Sequence, residues 1–567
     1  MANTNNQIDP FYPFFQRIIK NTPQAKQAFA LWQRLLRAWE EGHTFITLSC
    51  QEIAETQTLL ALLAEQSVSP FILDGKRLFL GKIYSLEENT AQRLCHLMQQ
   101  ATPPLSDKMP ALLQAYFPQD NEKEQQMAAA MALLNCVTVI CGGPGTGKTT
   151  TVAKILALLC QNQTTLPRIA LSAPTGKAAA HLNQSIVGTL QYIPNLPSEI
   201  YQHLSQLQGK TLHRLLNIRP TLKQAEYHQQ NSLPYDIVII DEVSMIELNI
   251  MYQLLNAIGE KTRLILLGDK NQLPSVGAGA VLAQISLPTE LNHQKLQAIK
   301  TLLPQCVVKE NSDAHILSSA IAHLSISHRF HQNSAIFHLS NAIIKKDAQA
   351  AIQCFIQFPD ELSQKTDRKQ LYQQYYDSQK EYWQAIYQED IKKAFEHFYH
   401  AMVLCVLRYD AQYFNQQFLS FLRQQGKGVG LFNGRTIMIK QNNVALDIYN
   451  GDIGIVFNHK IAIQRNNGAI EFLEPTRVGE FDDAFAITVH KSQGSEYENV
   501  FFIAPTHYNE NTCGNIEKIF DCTLLYTAVT RSKKRFSYIG DLKYLPQAIH
   551  QQNQRHSLLK ELIYRIS

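Results

Sequence analysis

The stretch from Gly142 to Thr149, GGPGTGKT, has the residue types and spacing of a phosphate-binding loop. It fits the pattern G-x-x-x-x-G-K-[ST], in which glycines let backbone N–H groups approach phosphate oxygens closely. Lys148 would reach the β- and γ-phosphates, and the Thr149 hydroxyl would ligate Mg²⁺. An apolar run before the loop predicts a buried strand, and TTVAKILALLC after it predicts a helix. The pattern therefore predicts a nucleoside triphosphate site.

Acidic and amide side chains follow two further apolar runs. Asp241 and Glu242 end the run IVII, where Asp241 would hold Mg²⁺ through water and Glu242 would act as general base. The run LILLGD leads to Gln272, which could sense the γ-phosphate. Gln125, near the start of a helical pattern over Asn121–Leu134, could read an adenine edge through its amide.

Two stretches carry donors suited to a nucleic-acid backbone. Lys177 lies in SAPTGKAAA, which reads as a strand, a turn and a helix. Thr488, His490, Lys491 and Ser492 lie in the distinctive stretch AITVHKSQGSE. Both patterns predict contacts with phosphates rather than with bases.

The elements that must position these groups alternate between strand and helix. Such alternation predicts an α/β fold whose parallel sheet has helices on both faces. Ligands bind at the carboxyl ends of such strands, which is where the polar motifs lie.

Length and composition set wider limits. A chain of 567 residues should hold several domains, and a net charge of +4 permits a nucleic-acid partner without arguing for one. No C-x-x-C pair supports a zinc or iron–sulfur site. The N-terminus lacks the pattern of a signal peptide, and no apolar run has membrane-spanning length, so we expect a cytoplasmic protein.

The remaining patterns divide the chain. Ala28, Trp32, Leu35 and Trp39 predict an amphipathic helix, and 71–80 predicts a hairpin with Asp74-Gly75 as its two-residue turn. ATPP at 101–104 predicts a domain boundary. Residues 355–400 read as mostly helical, and Asn-Gly pairs at 450–451 and 467–468 favour short antiparallel strands.

In chain order the motifs read GGPGTGKTT, SAPTGKAAA, TLHRLL, DEVSM and GDKNQLPSVGAGAVL, then SHRF, HKSQGSE and LLYTAVTRS. This order and wording resemble the RecD family of superfamily-1 DNA helicases, the alpha subunit of exodeoxyribonuclease V. The resemblance covers about 105–567, and more weakly the first hundred residues. It implies two RecA-like motor domains with parallel sheets, an SH3-like β insert in the second, and a small N-terminal α+β domain.

The resemblance also implies domains and sites. The domains are 1–105 for partner docking, 106–323 with a short hairpin insert at about 217–234, and 324–567 with the SH3-like insert at about 434–480. Catalytic roles fall on Lys148, Thr149, Asp241, Glu242, Gln272 and two arginine fingers, Arg329 and Arg531. Implied ATP-binding residues are Gln125, Gly142, Gly143, Pro144, Gly145, Thr146, Gly147, Lys148, Thr149, Thr150, Gly494 and Glu496. Implied DNA contacts are Pro174, Thr175, Lys177, Thr211, His213, Thr488, His490, Lys491 and Ser492, and the Mg²⁺ ligands are Thr149 and Asp241.

Two positions depart from the family pattern. Asn271 stands where an acidic residue is common before the glutamine, and His328 stands where Tyr often precedes the arginine. Neither is a residue with an essential predicted role.

The resemblance implies an ATP-driven 5′–3′ translocase on single-stranded DNA that acts at duplex ends with RecB-like (beta) and RecC-like (gamma) subunits. Alternatives are a stand-alone helicase of the longer RecD-like type and a regulatory subunit that binds ATP without hydrolysing it. A third alternative, that this chain is the nuclease, lacks an acidic cluster outside the ATPase motifs. We therefore expect the nuclease centre on the beta chain.

Overall fold

The computed structural model describes residues 23–65, 70–219, 224–306, 308, 310–328, 334–365, 368–465, 468–505 and 519–566. It has mixed α/β architecture, with two parallel sheets and two antiparallel sheets in these ranges. The predicted α/β class with parallel sheets is confirmed.

The N-terminal part combines helices with a small sheet. Its helices are α1 (Pro23–Glu40), α2 (Cys50–Glu65) and α3 (Gly81–Met98), and its strands are β1 (Phe45–Thr47), β2 (Phe71–Asp74) and β3 (Arg77–Leu80). The strands form an antiparallel sheet in the order β1-β3-β2. Helix α1 is amphipathic as predicted, and Ala28 and Leu35 lie in the core of this part.

The hairpin at 71–80 forms, but its turn differs from the prediction. Asp74 pairs with Arg77, so Gly75 and Lys76 are the two loop residues, not Asp74 and Gly75. Gly75 has φ of 61°, a conformation that glycine adopts without steric cost. The predicted turn began one residue too early, because Asp74 is the last residue of strand β2 and pairs with Arg77.

The first parallel sheet has six strands in the order β6-β5-β7-β8-β4-β9. Successive residues of β4 belong to opposite cores, with Val139 in one and Ile140 in the other, as strand geometry requires. The strands are β4 (Val137–Gly142), β5 (Ile169–Ala173), β6 (Gly209–Thr211), β7 (Ile237–Ile240), β8 (Arg263–Gly268) and β9 (Ile321–Leu324). The helices are α4 (Met109–Tyr116), α5 (Lys123–Leu134), α6 (Lys148–Gln161), α7 (Gly176–Leu190), α8 (Ser198–Ser205), α9 (Leu212–Leu215), α10 (Leu248–Ala257), α11 (Val281–Ile285) and α12 (His293–Leu302).

The second parallel sheet has five strands in the order β10-β19-β18-β11-β17. The strands after residue 334 are β10 (Leu362–Lys365), β11 (Ala401–Cys405), β12 (Thr436–Ile439), β13 (Ile453–Phe457), β14 (Lys460–Gln464), β15 (Ile470–Leu473), β16 (Phe481–Asp483), β17 (Ala486–Thr488), β18 (Tyr497–Ile503) and β19 (Ser532–Ile539). The helices up to residue 550 are α13 (Ala335–Ile344), α14 (Ala348–Gln357), α15 (Arg368–Ser378), α16 (Lys380–Tyr387), α17 (Ile391–Phe398), α18 (Arg408–Gln424), α19 (Pro475–Val478), α20 (Cys522–Thr530) and α21 (Leu545–His550).

Strand β10 lies in the stretch that the sequence predicted as mostly helical. It pairs in parallel with β19 at the edge of the second sheet. Its sequence LSQK contains a single apolar residue, Leu362, which is also its only buried residue. No apolar run therefore indicated a strand here. The neighbouring helices α15, α16 and α17 agree with the prediction.

Strands β12 to β16 form a separate antiparallel sheet in the order β15-β14-β13-β12-β16. Its own small core contains Ile437, Val456 and Ile461. Asn458 and His459 form the two-residue turn between β13 and β14, both with positive φ. This sheet occupies the predicted insert position, and the SH3-like description of it stays a prediction. Of the two predicted Asn-Gly turns, Asn467 lies outside the described residues.

The C-terminal helix α22 (Leu559–Ile566) returns to the N-terminal part and packs on α3. Its buried Leu562 and Ile563 share a core with Leu94 of α3 and with the first parallel sheet. Residues on both sides of the predicted boundary at 105 therefore pack together. The boundary near 105 and the assignment of 324–567 to one domain stay proposals.

The predicted hairpin insert at about 217–234 contains two isolated β-bridges among its described residues, Arg219 with Gln224 and His228 with Asn231. Within the ranges given above, no helix is long and apolar enough to cross a membrane.

Candidate active site between the two sheets

The glycine loop closes tightly between β4 and α6. Gly145 and Gly147 have φ of 76° and 80°. A Cβ on Gly142 would lie 2.5 Å from Thr146 Oγ1 and 2.9 Å from the Leu324 carbonyl oxygen. The loop therefore requires glycine at these positions and presents its N–H groups at the start of α6, which is a favourable place for an anion.

Lys148 begins α6 and points back over the loop. Its Nζ donates to the carbonyl oxygens of Gly142 at 2.7 Å and Gly143 at 3.1 Å. Thr149, Thr150 and Pro144 line the same cleft. The ammonium thus lies at the mouth of the loop, within reach of phosphate oxygens placed there.

Gln125 supports the loop from below. It is buried, and its Nε2 donates to the Thr146 carbonyl oxygen at 3.1 Å. A Cβ on Gly147 would lie 2.4 Å from that Nε2. The predicted role of Gln125 in reading adenine therefore requires a different partner for the amide from the one in this conformation.

Two carboxyl groups follow strand β7. In the sheet, β8 lies between β7 and β4, the strand that leads into the glycine loop. Asp241 is buried, and burial followed by repulsion from Glu242 raises its pKa, while Lys148 opposes the rise. Glu242 has φ of 52°, and its N–H donates to Asp241 Oδ1 at 2.8 Å. A left-handed conformation in glutamate is uncommon and typical of functional sites. The oxygen ligands of Asp241 and Thr149 fit the preference of Mg²⁺.

Asp269 is a residue to which the sequence pattern assigned no role. It follows β8, is 1% exposed, and accepts a hydrogen bond from the Tyr526 hydroxyl at 2.8 Å. Burial raises its pKa. Tyr526 belongs to α20 of the second domain. The bond therefore joins the first and second domains beside the glycine loop. The sequence did contain a pattern that could have indicated a role for Asp269, because an apolar run ends in this acid just as another ends in Asp241.

Gln272 lies in the loop that follows β8. Its side chain is 5% exposed, lines the cleft with Lys148, and leaves Oε1 buried without a hydrogen-bond partner. The next residue, Leu273, donates its N–H to Thr527 Oγ1 at 2.9 Å and accepts from Gln493 Nε2 at 2.9 Å. This loop therefore contacts the second domain on either side.

Arg531 enters the cleft from the second domain. Its Nη1 donates to the Ser495 carbonyl oxygen at 3.1 Å, and its side chain is buried at the cleft wall. Glu496 also lines the cleft, with Oε2 3.3 Å from Lys533 Nζ. Gly494 has φ of 72° and approaches Ala178 of α7 closely. Arg329, the other predicted finger, lies outside the described residues.

These groups surround one cleft of about 690 Å³ between the two parallel sheets and the antiparallel insert. That volume lies in the range of nucleotide-sized pockets. Lys148, Asp241, Glu242 and Gln272 come from one side, and Arg531 and Glu496 from the other. The structure thus brings together the described residues that the sequence assigned to catalysis.

The first group of predicted DNA contacts lies closer to this cleft than expected. Lys177 Nζ donates to Ser495 Oγ at 2.7 Å and lies 4.0 Å from the centre of the Tyr399 ring. Burial lowers the pKa of Lys177 to about 7, although Glu496 opposes the change. Lys177 therefore contacts the second domain in this conformation, at the wall of the cleft.

The neighbouring residues of this group mainly cap helices. Thr175, after Pro174, accepts from the Ala178 N–H at 3.2 Å, and Thr211 accepts from the Arg214 N–H at 3.4 Å. His213 is exposed beside them. Thr175 follows the carboxyl end of β5, the strand that the sequence predicted, and Thr211 ends β6, a strand that the sequence did not predict.

The second group follows β17. Lys491 is exposed, with Nζ 3.9 Å from Asp482, and Thr488 and His490 are half-buried. Burial, with Arg555 nearby, lowers the pKa of His490. Ser492 differs from the prediction, because it is fully buried and its hydroxyl donates to the Val489 carbonyl oxygen at 2.7 Å. Here Ser492 holds a turn and is not presented to a phosphate.

Family models match two parts of this chain, and curated proteins match most of it. The AAA domain model matches residues 125–278, and the UvrD-like helicase C-terminal domain model matches residues 483–536. The RecBCD enzyme subunit RecD of Buchnera aphidicola is 30% identical over 506 residues, which cover 84% of this chain and 81% of that protein. The chain belongs to the RecD family. The Haemophilus influenzae RecD subunit is 32% identical over 499 residues, 81% of this chain and 75% of that protein.

More distant proteins are also similar to this RecD-family chain. The ATP-dependent RecD2 DNA helicase of Deinococcus radiodurans is 28% identical over 313 residues, 50% of this chain and 40% of that protein. A solved structure of Bacteroides Pif1 bound to single-stranded DNA has 16% identity and a TM-score of 0.40, covering 76% of this chain and 95% of that one.

Proposed function

We propose that this chain is an ATP-dependent DNA helicase that works as the RecD-type subunit of a RecBCD-type helicase–nuclease. The observation that supports this best is the cleft in which Lys148, Asp241 and Gln272 of one domain face Arg531 of the other. Such a site hydrolyses ATP only when the domains are close, so hydrolysis is linked to domain movement.

Each side chain has a role that follows from its position. Lys148 and the loop N–H groups would hold the β- and γ-phosphates. Thr149, and Asp241 through water, would hold Mg²⁺, which would supply positive charge against the phosphates. Glu242 orients and deprotonates the attacking water. Arg531 stabilises the charge that develops on the γ-phosphoryl group. Gln272, on a loop bonded to the second domain, reports the presence of that group to the DNA-binding side.

The DNA path runs over the carboxyl ends of both sheets. Thr211 and His213 mark this edge in the first domain, and Thr488 and Lys491 mark it in the second. Contacts to the backbone suit a motor that must ignore sequence. Family resemblance supports 5′–3′ movement, a cytoplasmic location, and assembly with beta and gamma subunits, the beta chain carrying the nuclease.

The catalytic assignment is tested with Lys148→Gln. We expect single-stranded DNA to stimulate ATP hydrolysis by the wild-type chain, and the variant to lose about 100-fold or more of that rate. Lys123→Gln, an exposed lysine on α5, is the matched control and should keep the wild-type rate. Equal stimulated rates in Lys148→Gln and the control would contradict the site.

The partner assignment is tested by co-expression of the full chain with beta- and gamma-type subunits. We expect the three chains to elute together in size-exclusion chromatography. We also expect the chain alone to leave linear duplex DNA undegraded. Separate elution of this chain would favour the stand-alone helicase instead.

A further inference from the structure

Three metal-ligating side chains converge in the second domain, and none of them is among the residues that line the catalytic cleft. Glu381 lies in the first turn of α16, His397 in the last turn of α17, and His400 just before β11. Glu381 Oε2 is 3.3 Å from His397 Nδ1 and 2.9 Å from His400 Nδ1. His397 Nδ1 is in turn 3.4 Å from His400 Nε2.

The two separations from Glu381 Oε2 to an imidazole Nδ1 match those of ligands on one metal ion, and one ligand atom from each of the three residues lies within 4.8 Å of the others. Tetrahedral zinc with bonds of about 2.0–2.1 Å places its ligand atoms about 3.3 Å apart. Nitrogen from two imidazoles and oxygen from one carboxylate is a donor set that suits Zn²⁺ and its neighbours in the first transition row. It does not suit Mg²⁺ or Ca²⁺, which prefer oxygen ligands alone.

The backbone that carries the three residues is held firmly. Buried Gln379, just before α16, donates from Nε2 to the carbonyl oxygens of Phe398 at 3.2 Å and Ala401 at 2.7 Å. Asn499 of β18 donates to the His400 carbonyl oxygen from Nδ2 at 3.0 Å and from its backbone N–H at 2.9 Å. A site on a rigid scaffold needs little rearrangement to bind an ion.

The surface position also leaves room for an ion and its water. About a quarter of each imidazole is exposed, with 27% for His397 and 28% for His400, and 61% of the Glu381 side chain is exposed. Three protein ligands beside solvent leave a fourth position for water. The described chain contains two other His–Glu ion pairs at 3.1 Å, His96 with Glu260 and His293 with Glu310, in which no second imidazole completes a triad.

We propose that Glu381, His397 and His400 form a binding site for a divalent transition metal such as Zn²⁺. The ion joins the start of α16 to the end of α17. The site flanks Tyr399, whose ring lies under the Lys177 ammonium at the cleft. A bound ion therefore stabilises the backbone segment that positions the Tyr399 ring.

The test uses the tag-free full-length chain after treatment with a chelator, in a Cys50→Ser background because Cys50 is an exposed thiol. Isothermal titration with Zn²⁺ should give one equivalent bound with micromolar or tighter affinity. The double variant His397→Gln/His400→Gln should bind at least tenfold more weakly. His96→Gln, which disrupts an isolated His–Glu pair, is the matched control and should bind as the parent does.

A second readout separates binding from folding. Zn²⁺ should raise the thermal midpoint of the parent by a few degrees and leave that of the double variant unchanged, because only the native parent binds the ion. The metal-free midpoints of the two proteins show whether the variant folds. Absence of a bound equivalent in the parent, or equal affinity in the double variant, would overturn the proposal. Stimulated ATP hydrolysis is measured separately, so loss of this site leaves the helicase assignment intact.

Discussion

At the scale of single residues, the cleft is a set of groups whose burial changes their chemistry. Asp241 and Asp269 are both buried carboxyls with raised pKa values, at the ends of neighbouring strands. A cation favours the charged form of a carboxylate, so Mg²⁺ and Lys148 together would keep Asp241 ionised during turnover. At Asp269 the raised pKa is opposed by Lys148, by the Asn271 N–H and by the Tyr526 hydroxyl, which donates to Asp269 from the other domain.

Gln272→Ala should separate hydrolysis from unwinding. Loss of the amide beside the γ-phosphate position should reduce stimulated ATP hydrolysis about 10- to 100-fold and reduce unwinding further, because the loop that contacts the second domain loses its γ-phosphate sensor. Both rates are measured on the same preparation. Asn271→Ala, one residue away, is the control, and proportional losses of both rates in Gln272→Ala would contradict a coupling role.

Tyr526→Phe removes the hydroxyl that donates to Asp269. A buried carboxylate that loses a donor costs roughly 1–3 kcal/mol of stability. We expect a lower thermal midpoint and a weaker apparent affinity for ATP, since the bond joins the domains at the loop. Tyr192→Phe, at a tyrosine that is 78% exposed, should change neither quantity. An unchanged midpoint in Tyr526→Phe would show that the bond contributes little.

At the scale of elements, the sequence located the strands and helices that carry motifs. Strand β4, the glycine loop and α6 form as predicted, since an apolar β-branched run and a helical pattern flank the glycines. Strand β10 was missed because an edge strand with one buried residue has no apolar signal. The partner of α22 could not be predicted, because Leu562 and Ile563 indicate an apolar face but not what covers it. The contacts of Lys177 and Ser492 likewise depend on tertiary packing.

The junction of α3 and α22 should make stability depend on pH. Burial raises the pKa of Glu87 from its usual 4.5 to about 7, although Ser557 and the Leu558 N–H donate to it. Because the folded state binds the proton more tightly, the stabilisation is present below about pH 4.5 and is lost as pH rises through about 7. The shift corresponds to roughly 3 kcal/mol.

Glu87→Gln keeps an oxygen acceptor and removes the titration. We expect thermal midpoints of the wild type to fall, relative to those of Glu87→Gln, between about pH 5 and 8. Glu88→Gln, at a half-buried carboxyl on the same helix, is the control and should follow the wild type. Parallel pH profiles for the wild type and Glu87→Gln would contradict the raised pKa.

At the scale of the whole molecule, two parallel sheets face each other across a cleft that neither completes alone. Leu273, Lys177 and Asp269 each bond to the second domain, so the structure is that of a closed motor. Closure and opening around ATP would alternate the grip of the two domains on DNA. The N-terminal part and α22 pack on the first domain, where α3 and α22 share a core with the first parallel sheet.

The central claim is that this cleft drives DNA unwinding. The most direct measurement gives the purified chain ATP, Mg²⁺ and two partial duplexes, one with a 5′ single-stranded tail and one with a 3′ tail. We predict unwinding of the 5′-tailed duplex alone, and its loss in Lys148→Gln. Unwinding of only the 3′-tailed duplex would contradict the proposed direction. Folded protein that neither unwinds DNA nor shows DNA-stimulated ATP hydrolysis would contradict the motor itself and favour a regulatory subunit.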